Sequence, residues 1–145
     1  MLSYVQMSAS NEQSNHPIVR GFFCLAGFVT LFLGMVLLVA PTQVTNIFLD
    51  APISESGLFF IRFAGTSLLG FSVLNFYACT KSLELLRLAA VVNIASLAPA
   101  TIIAIWTYQQ YSIDKFRWLI VAEHVFFLSG FILCLVRLHL GKMVR

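Results

Sequence analysis

Long apolar intervals separate the charged residues of the chain, and this spacing constrains the fold more than any other feature. No charged residue occurs between Arg20 and Asp50. About 20 apolar residues, each rising about 1.5 Å, cross a hydrocarbon core of roughly 30 Å, so this interval is long enough for a transmembrane helix. Three further apolar segments have similar lengths. The spacing predicts four spans, at residues 21–40, 58–79, 88–106 and 116–138.

Composition excludes the main soluble classes. Of 145 residues, 59% are hydrophobic and 10% are charged, whereas soluble domains are about 25% charged. This balance excludes an ordinary cytosolic enzyme and a disordered chain, and 3 cysteines are too few for a disulfide framework. Apolar and polar residues do not alternate with a period of two, as they would in a membrane β-barrel. The sequence therefore predicts an all-α, integral membrane, antiparallel four-helix bundle.

The segments outside the spans are short. Residues 1–17 are predicted to be a polar, flexible tail without the features of a signal peptide, and residues 18–145 a single four-span domain. The first connection is predicted to be a loop of about 16 residues. None of these segments is long enough to bury a core of its own, so any chemistry is expected within the membrane or at a partner.

The distribution of lysine and arginine predicts the orientation. If both termini are cytoplasmic, six basic residues lie near the cytoplasmic ends of the spans: Arg20, Lys81, Arg87, Arg137, Lys142 and Arg145. Three lie on the other side: Arg62, Lys115 and Arg117. The positive-inside rule then favours an inner (plasma) membrane protein with both ends in the cytoplasm. No cluster of basic residues is longer than one or two positions. We therefore expect membrane lipids as partners and no nucleic acid.

Three polar residues inside the spans form a candidate intramembrane site. Arg62 and Glu123 lie at similar depths, about five and seven residues from the same membrane face, which predicts an ion pair between the second and fourth helices. The alternative is that Arg62 extends to the interface while Glu123 bonds a nearby hydroxyl or water. His124 follows Glu123 and is either part of a proton relay or a histidine bonded to a neighbouring helix or to interface water.

Asn75 and Asn93 form a second polar layer. They lie near the inner ends of the second and third spans and are predicted to bond across the two helices. Pro99 interrupts the third span and either kinks it or widens a central cavity. Small or polar residues at helical spacing predict faces of close helix packing, either within this chain or with a second copy. These residues are Ala26, Thr30 and Gly34 in the first span, Thr66 and Gly70 in the second, and Ala89, Asn93, Ser96, Ala100 and Ala104 in the third.

The cysteines and histidines do not predict a metal or cofactor site. Cys24, Cys79 and Cys134 lie in three different helices, where free cysteine behaves as a small buried hydrophobe. His16 and His139 lie far from His124 along the chain, and no HxxxH, ExxH or CxxC motif occurs. We therefore expect no metal, and no cofactor is predicted.

The stretch FFIRFAGTSLLGFSVLNF, preceded by PTQVTNIFLDAP, resembles the second helix of small bacterial four-helix membrane proteins of the DoxX-like and related uncharacterised kind. The shared pattern is aromatic-x-Arg-x-x-Gly-x-x-Leu-Leu-Gly, which falls on Phe60, Arg62, Gly65, Leu68, Leu69 and Gly70. The resemblance implies a four-helix bundle and an association with quinone-linked redox subunits. Among the residues of this chain, the resemblance links only Arg62, and only loosely, to that redox association.

These observations favour a non-enzymatic subunit or scaffold that binds lipid, a hydrophobic small molecule or a partner protein, either as a homo-oligomer or in a larger membrane complex. One alternative is a small transporter or channel in which Arg62, Glu123 and His124 line an outward-facing polar cavity. Another is an accessory subunit of a quinone-linked membrane oxidoreductase.

Overall fold

The described part of the chain is almost entirely helical. The computed structural model describes residues 16–48, 54–110 and 117–143. Within these ranges there are five helices and no strand: α1 (Pro17–Val39), α2 (Pro41–Phe48), α3 (Glu55–Thr80), α4 (Leu83–Gln110) and α5 (Arg117–Met143). Helices α1, α3, α4 and α5 are long and apolar enough to cross a membrane. The prediction of an all-α, multi-pass four-helix membrane bundle is confirmed.

Three of the long helices begin before the predicted spans, and a proline or a serine cap marks the start of each. Helix α1 begins at Pro17, a residue type suited to the first helical position. Ser54 precedes α3 and accepts a hydrogen bond from the backbone N–H of Gly57 at 3.2 Å. Ser82 accepts one from the N–H of Leu85 at 3.4 Å at the start of α4. Residues 1–15 of the predicted tail lie outside the described residues.

The first connection contains a helix where the sequence analysis predicted only a loop. Helix α2 starts at Pro41, directly after Ala40 closes α1 by donating its N–H to the carbonyl of Val36 at 2.9 Å. Val44 and Ile47 are three residues apart and therefore share one face of α2. A proline at its first position and a short amphipathic pattern favour this helix.

The four long helices form two antiparallel hairpins, α1 with α3 and α4 with α5, and helix contacts are denser within each hairpin than between them. In the first hairpin the backbones come close together at Gly34 and Gly65, where a Cβ atom added to either glycine would lie 2.9 Å from the carbonyl oxygen of the other. The predicted face at Thr66 and Gly70 does not pack within this chain, since both residues are exposed on the bundle surface. Helix α3 is turned so that Gly65, one position earlier, faces α1.

Two arginines connect helix ends at one side of the bundle. Arg20 of α1 donates to the carbonyl of Cys79 at 2.5 Å and to that of Lys81 at 2.8 Å. Arg87 of α4 donates to the carbonyl of Leu138 near the end of α5 at 2.5 Å. The last carbonyls of a helix lack partners within the helix and carry the negative end of its dipole, so Arg20 stabilises the C-terminus of α3. Leu138 lies five residues before the end of α5, and the bond from Arg87 connects α4 to α5 there. Each hairpin is closed in this way.

Candidate intramembrane site

A cavity of about 210 Å³ lies between the two hairpins and is lined by all four spanning helices. Its lining is mainly apolar and includes the aromatic rings of Phe71, Phe127 and Phe131. Six polar side chains interrupt that lining: Thr30, Asn75, Asn93, Ser96, Glu123 and His124. An apolar cleft with a few converging polar groups is the usual form of a small-molecule site.

The cavity extends along the bundle axis for about two helical turns. Its lining covers Ala26–Leu33 on α1, Leu68–Asn75 on α3, Asn93–Ala100 on α4 and Glu123–Phe131 on α5. At about 1.5 Å per residue, each of these stretches is roughly 10–12 Å long. The cavity therefore spans about a third of a hydrocarbon core of roughly 30 Å.

One end of the cavity is closed by the predicted asparagine layer. The amide of Asn93 donates to the side-chain oxygen of Asn75 at 2.8 Å, and the Asn75 amide donates back at 3.5 Å. Asn93 also donates to the backbone carbonyl of Ala89 at 2.7 Å. Both asparagines are buried. The predicted bond between α3 and α4 is formed, and it joins the two hairpins.

Aromatic residues of α1 and α5 complete that end. Phe22 stacks edge-on against Phe131 at 5.1 Å between ring centroids, and Phe23 does so at 5.2 Å. The ring of Phe22 lies over Gly130, where an added Cβ atom would overlap it. Gly130 therefore leaves space for a ring that joins the first hairpin to the second.

At the other end of the cavity, Glu123 and His124 pair with each other. The Nδ1 atom of His124 lies 2.9 Å from Glu123 Oε2 and 2.9 Å from the carbonyl of Ile120. A carbonyl and a carboxylate oxygen both accept hydrogen bonds, so Nδ1 must carry the proton. Both side chains line the cavity and are partly exposed. The pair places a carboxylate and an oriented imidazole beside an apolar space.

The predicted ion pair between Arg62 and Glu123 is not formed in the part of the chain that the structure describes. Arg62 is exposed on α3, whereas Glu123 bonds His124 on its own helix. Helix α3 packs mainly on α1 and helix α5 mainly on α4, so matching depths do not bring the two side chains together. Arg62 is also absent from the cavity lining.

Pro99 is exposed and lies outside the cavity lining, while α4 continues through it from Leu83 to Gln110. Two residues later the hydroxyl of Thr101 donates to the carbonyl of Leu97 at 2.7 Å. The aromatic lining residues Phe71 and Phe127 were not predicted. Nothing in the sequence distinguishes such residues from lipid-facing ones, because phenylalanine is common on both surfaces of a membrane helix.

The described side chains include no group of three or more histidine, cysteine, aspartate or glutamate residues able to hold a metal ion. No protein-family model matches the chain, and neither the curated proteins nor the solved structures that were searched contain a match. The resemblance to DoxX-like proteins therefore stays a prediction.

Proposed function

We propose that this integral membrane protein is a non-enzymatic binding subunit that holds a small, mainly apolar molecule between its two hairpins. The observation that carries the proposal is the cavity of about 210 Å³, lined by all four spanning helices. Drug-sized ligands occupy roughly 300–1,000 Å³, so the occupant is smaller, with a single ring or a short chain.

The polar ends of the cavity indicate the chemistry of this occupant. Asn75 and Asn93 bond each other, which leaves little capacity for a ligand at that end. Glu123 has a second carboxylate oxygen, and the proton on Nδ1 of His124 leaves Nε2 as a further polar atom. A molecule with one hydroxyl or amine group at the Glu123 end, and an apolar body against Phe127 and Phe131, matches this lining.

Benzyl alcohol, a ring with one hydroxyl group, is a suitable probe for the purified protein in detergent micelles. Ala100 lines the cavity, so Ala100→Leu is expected to fill it and to lower probe affinity at least tenfold. Ala95 is exposed on the same helix, so Ala95→Leu adds the same side chain outside the cavity and is the matched control. Saturation-transfer NMR titration measures the affinity. Equal affinity in the two variants would contradict the proposal.

The Glu123–His124 pair favours one second candidate, a proton-coupled transporter or channel. These two residues are the titratable acid and base among the cavity-lining side chains. Liposomes containing the protein and a trapped pH-sensitive dye would report proton entry under a pH gradient. This candidate requires faster entry than in empty liposomes and its loss in Glu123→Gln. Proton entry equal to that of empty liposomes would exclude it.

The membrane partners follow from the surface and the charges. Large apolar side chains such as Phe32, Phe63 and Leu133 are exposed on the bundle surface, which suits contact with lipid tails or with a second copy. The antiparallel helices gather Arg20, Lys81, Arg87 and Arg137 at one end. We propose that this end faces the cytoplasm of an inner (plasma) membrane.

A further inference from the structure

Two of the three cysteines lie side by side near the arginine-capped end of the first hairpin. The thiol of Cys24 on α1 donates to the sulfur of Cys79 on α3, with 2.8 Å between the two Sγ atoms. Both are free thiols, as is Cys134, which is buried on α5. Cys24 and Cys79 are 55 positions apart in the sequence, so the fold of the hairpin brings them together.

We propose that Cys24 and Cys79 are a redox-modification site, at which a reversible disulfide links α1 to α3. A disulfide bond is about 2.05 Å long, and the two sulfur atoms are already 2.8 Å apart. The remaining gap between the two sulfur atoms is therefore less than about 1 Å. The proposal does not depend on what the cavity binds.

The surrounding contacts hold the two thiols at this separation. Arg20, one turn before Cys24, bonds the carbonyls of Cys79 and Lys81 and so fixes the end of α3 against the start of α1. The Cys79 thiol donates to the carbonyl of Phe76 at 3.1 Å. Such contacts keep each thiol within reach of the other, which favours an intramolecular disulfide over a link between two chains.

The oxidant that we propose is a hydroperoxide, of which hydrogen peroxide is the simplest. Cys24 is the more exposed of the two, and its thiolate attacks one peroxide oxygen, which breaks the O–O bond and gives a sulfenic acid and water. Cys79 sulfur then attacks the sulfenic sulfur, an S–S bond forms, and the hydroxyl leaves as a second water. Two thiols lose two electrons and two protons, and one peroxide becomes two waters. Reduced glutathione or dithiothreitol reverses the bond by exchange.

The test uses the full-length protein in detergent micelles, treated with hydrogen peroxide and then denatured in dodecyl sulfate. A maleimide attached to polyethylene glycol counts the free thiols by gel mobility. We expect three labels on the reduced protein, one label after oxidation, and three again after dithiothreitol. Intact mass spectrometry is expected to show the loss of two hydrogens. In Cys134→Ser the labels should fall from two to none.

The single variants Cys24→Ser and Cys79→Ser distinguish a disulfide from other oxidation, since each lacks one partner. Cys24→Ser is expected to keep two labels after the same treatment. Cys79→Ser is expected to stop at a sulfenic acid on Cys24, with one label and a mass gain of one oxygen in place of the loss of two hydrogens. Three outcomes would overturn the proposal: three labels retained by the oxidised wild type, a loss of labels that dithiothreitol does not restore, or disulfide-linked dimers in place of an internal bond. The main result comes from the wild-type protein, so it stands even if a variant fails to fold.

Discussion

The carbonyl oxygen of Gly65 lies 2.9 Å from the position that a Cβ atom on Gly34 would occupy, and the carbonyl oxygen of Gly34 lies equally close to that position on Gly65. The two backbones therefore meet without an intervening side chain. Membrane helices gain no hydrophobic driving force from each other, so close backbone contact of this kind is a main source of their association. The crossing of α1 and α3 depends on both glycines.

Replacing Gly65 by alanine is expected to destabilise the protein by about 1–3 kcal/mol, the usual range for overpacking, because the new methyl group meets a backbone oxygen that cannot rotate away. Gly70 on the same helix has no atom within 4 Å of an added Cβ. Gly70→Ala is therefore the matched control and should cost nothing or stabilise slightly, since alanine favours helix. Thermal unfolding in detergent micelles compares the unfolding midpoints of the two variants. Equal midpoints would show that the close approach of Gly34 and Gly65 is not formed.

The Asn75–Asn93 layer predicts unequal effects of two similar substitutions. Among the described residues, the side chain of Asn75 bonds only to Asn93, whereas Asn93 also bonds Ala89. Asn93→Ala therefore leaves a fully buried amide without a partner, at a cost of about 1–3 kcal/mol, and Asn75→Ala should cost less. A double-mutant cycle by thermal unfolding is expected to give a coupling of about 0.6–2 kcal/mol. Additive effects would argue against the bond.

Arg87 and Arg137 offer a comparison of two arginines at the same end of the bundle. Arg87 donates to the carbonyl of Leu138 and is half-buried, whereas Arg137 is exposed. Arg87→Ala is expected to lower the free energy of unfolding by about 1–2 kcal/mol, because a hydrogen bond from a charged donor to a carbonyl of the neighbouring helix is stabilising. Arg137→Ala should change it by less than about 0.5 kcal/mol. Similar losses in both variants would show that the arginines act only through surface charge.

The sequence predicted the features that are set by position along one helix. The four spans follow from the spacing of charges, and the Asn75–Asn93 bond follows because both residues lie near the same end of two helices joined by a short connection. Features that depend on the rotation of a helix and on its neighbours were missed. Arg62 and Glu123 match in depth, but depth does not tell which helix faces which. For the same reason, the residue of α3 that meets α1 is Gly65, one position before the predicted Thr66.

The remaining prediction concerns the orientation in the membrane. Ser54 lies before α3 and Ser82 before α4, so the length of α3 separates them and places them on opposite sides of the membrane. With the native cysteines changed to serine, Ser54→Cys should react with a membrane-impermeant maleimide added to intact cells, and Ser82→Cys should react only after the membrane is permeabilised. This result follows if the end that carries Arg20, Lys81 and Arg87 is cytoplasmic. The reverse labelling pattern would place that basic end outside and overturn the orientation.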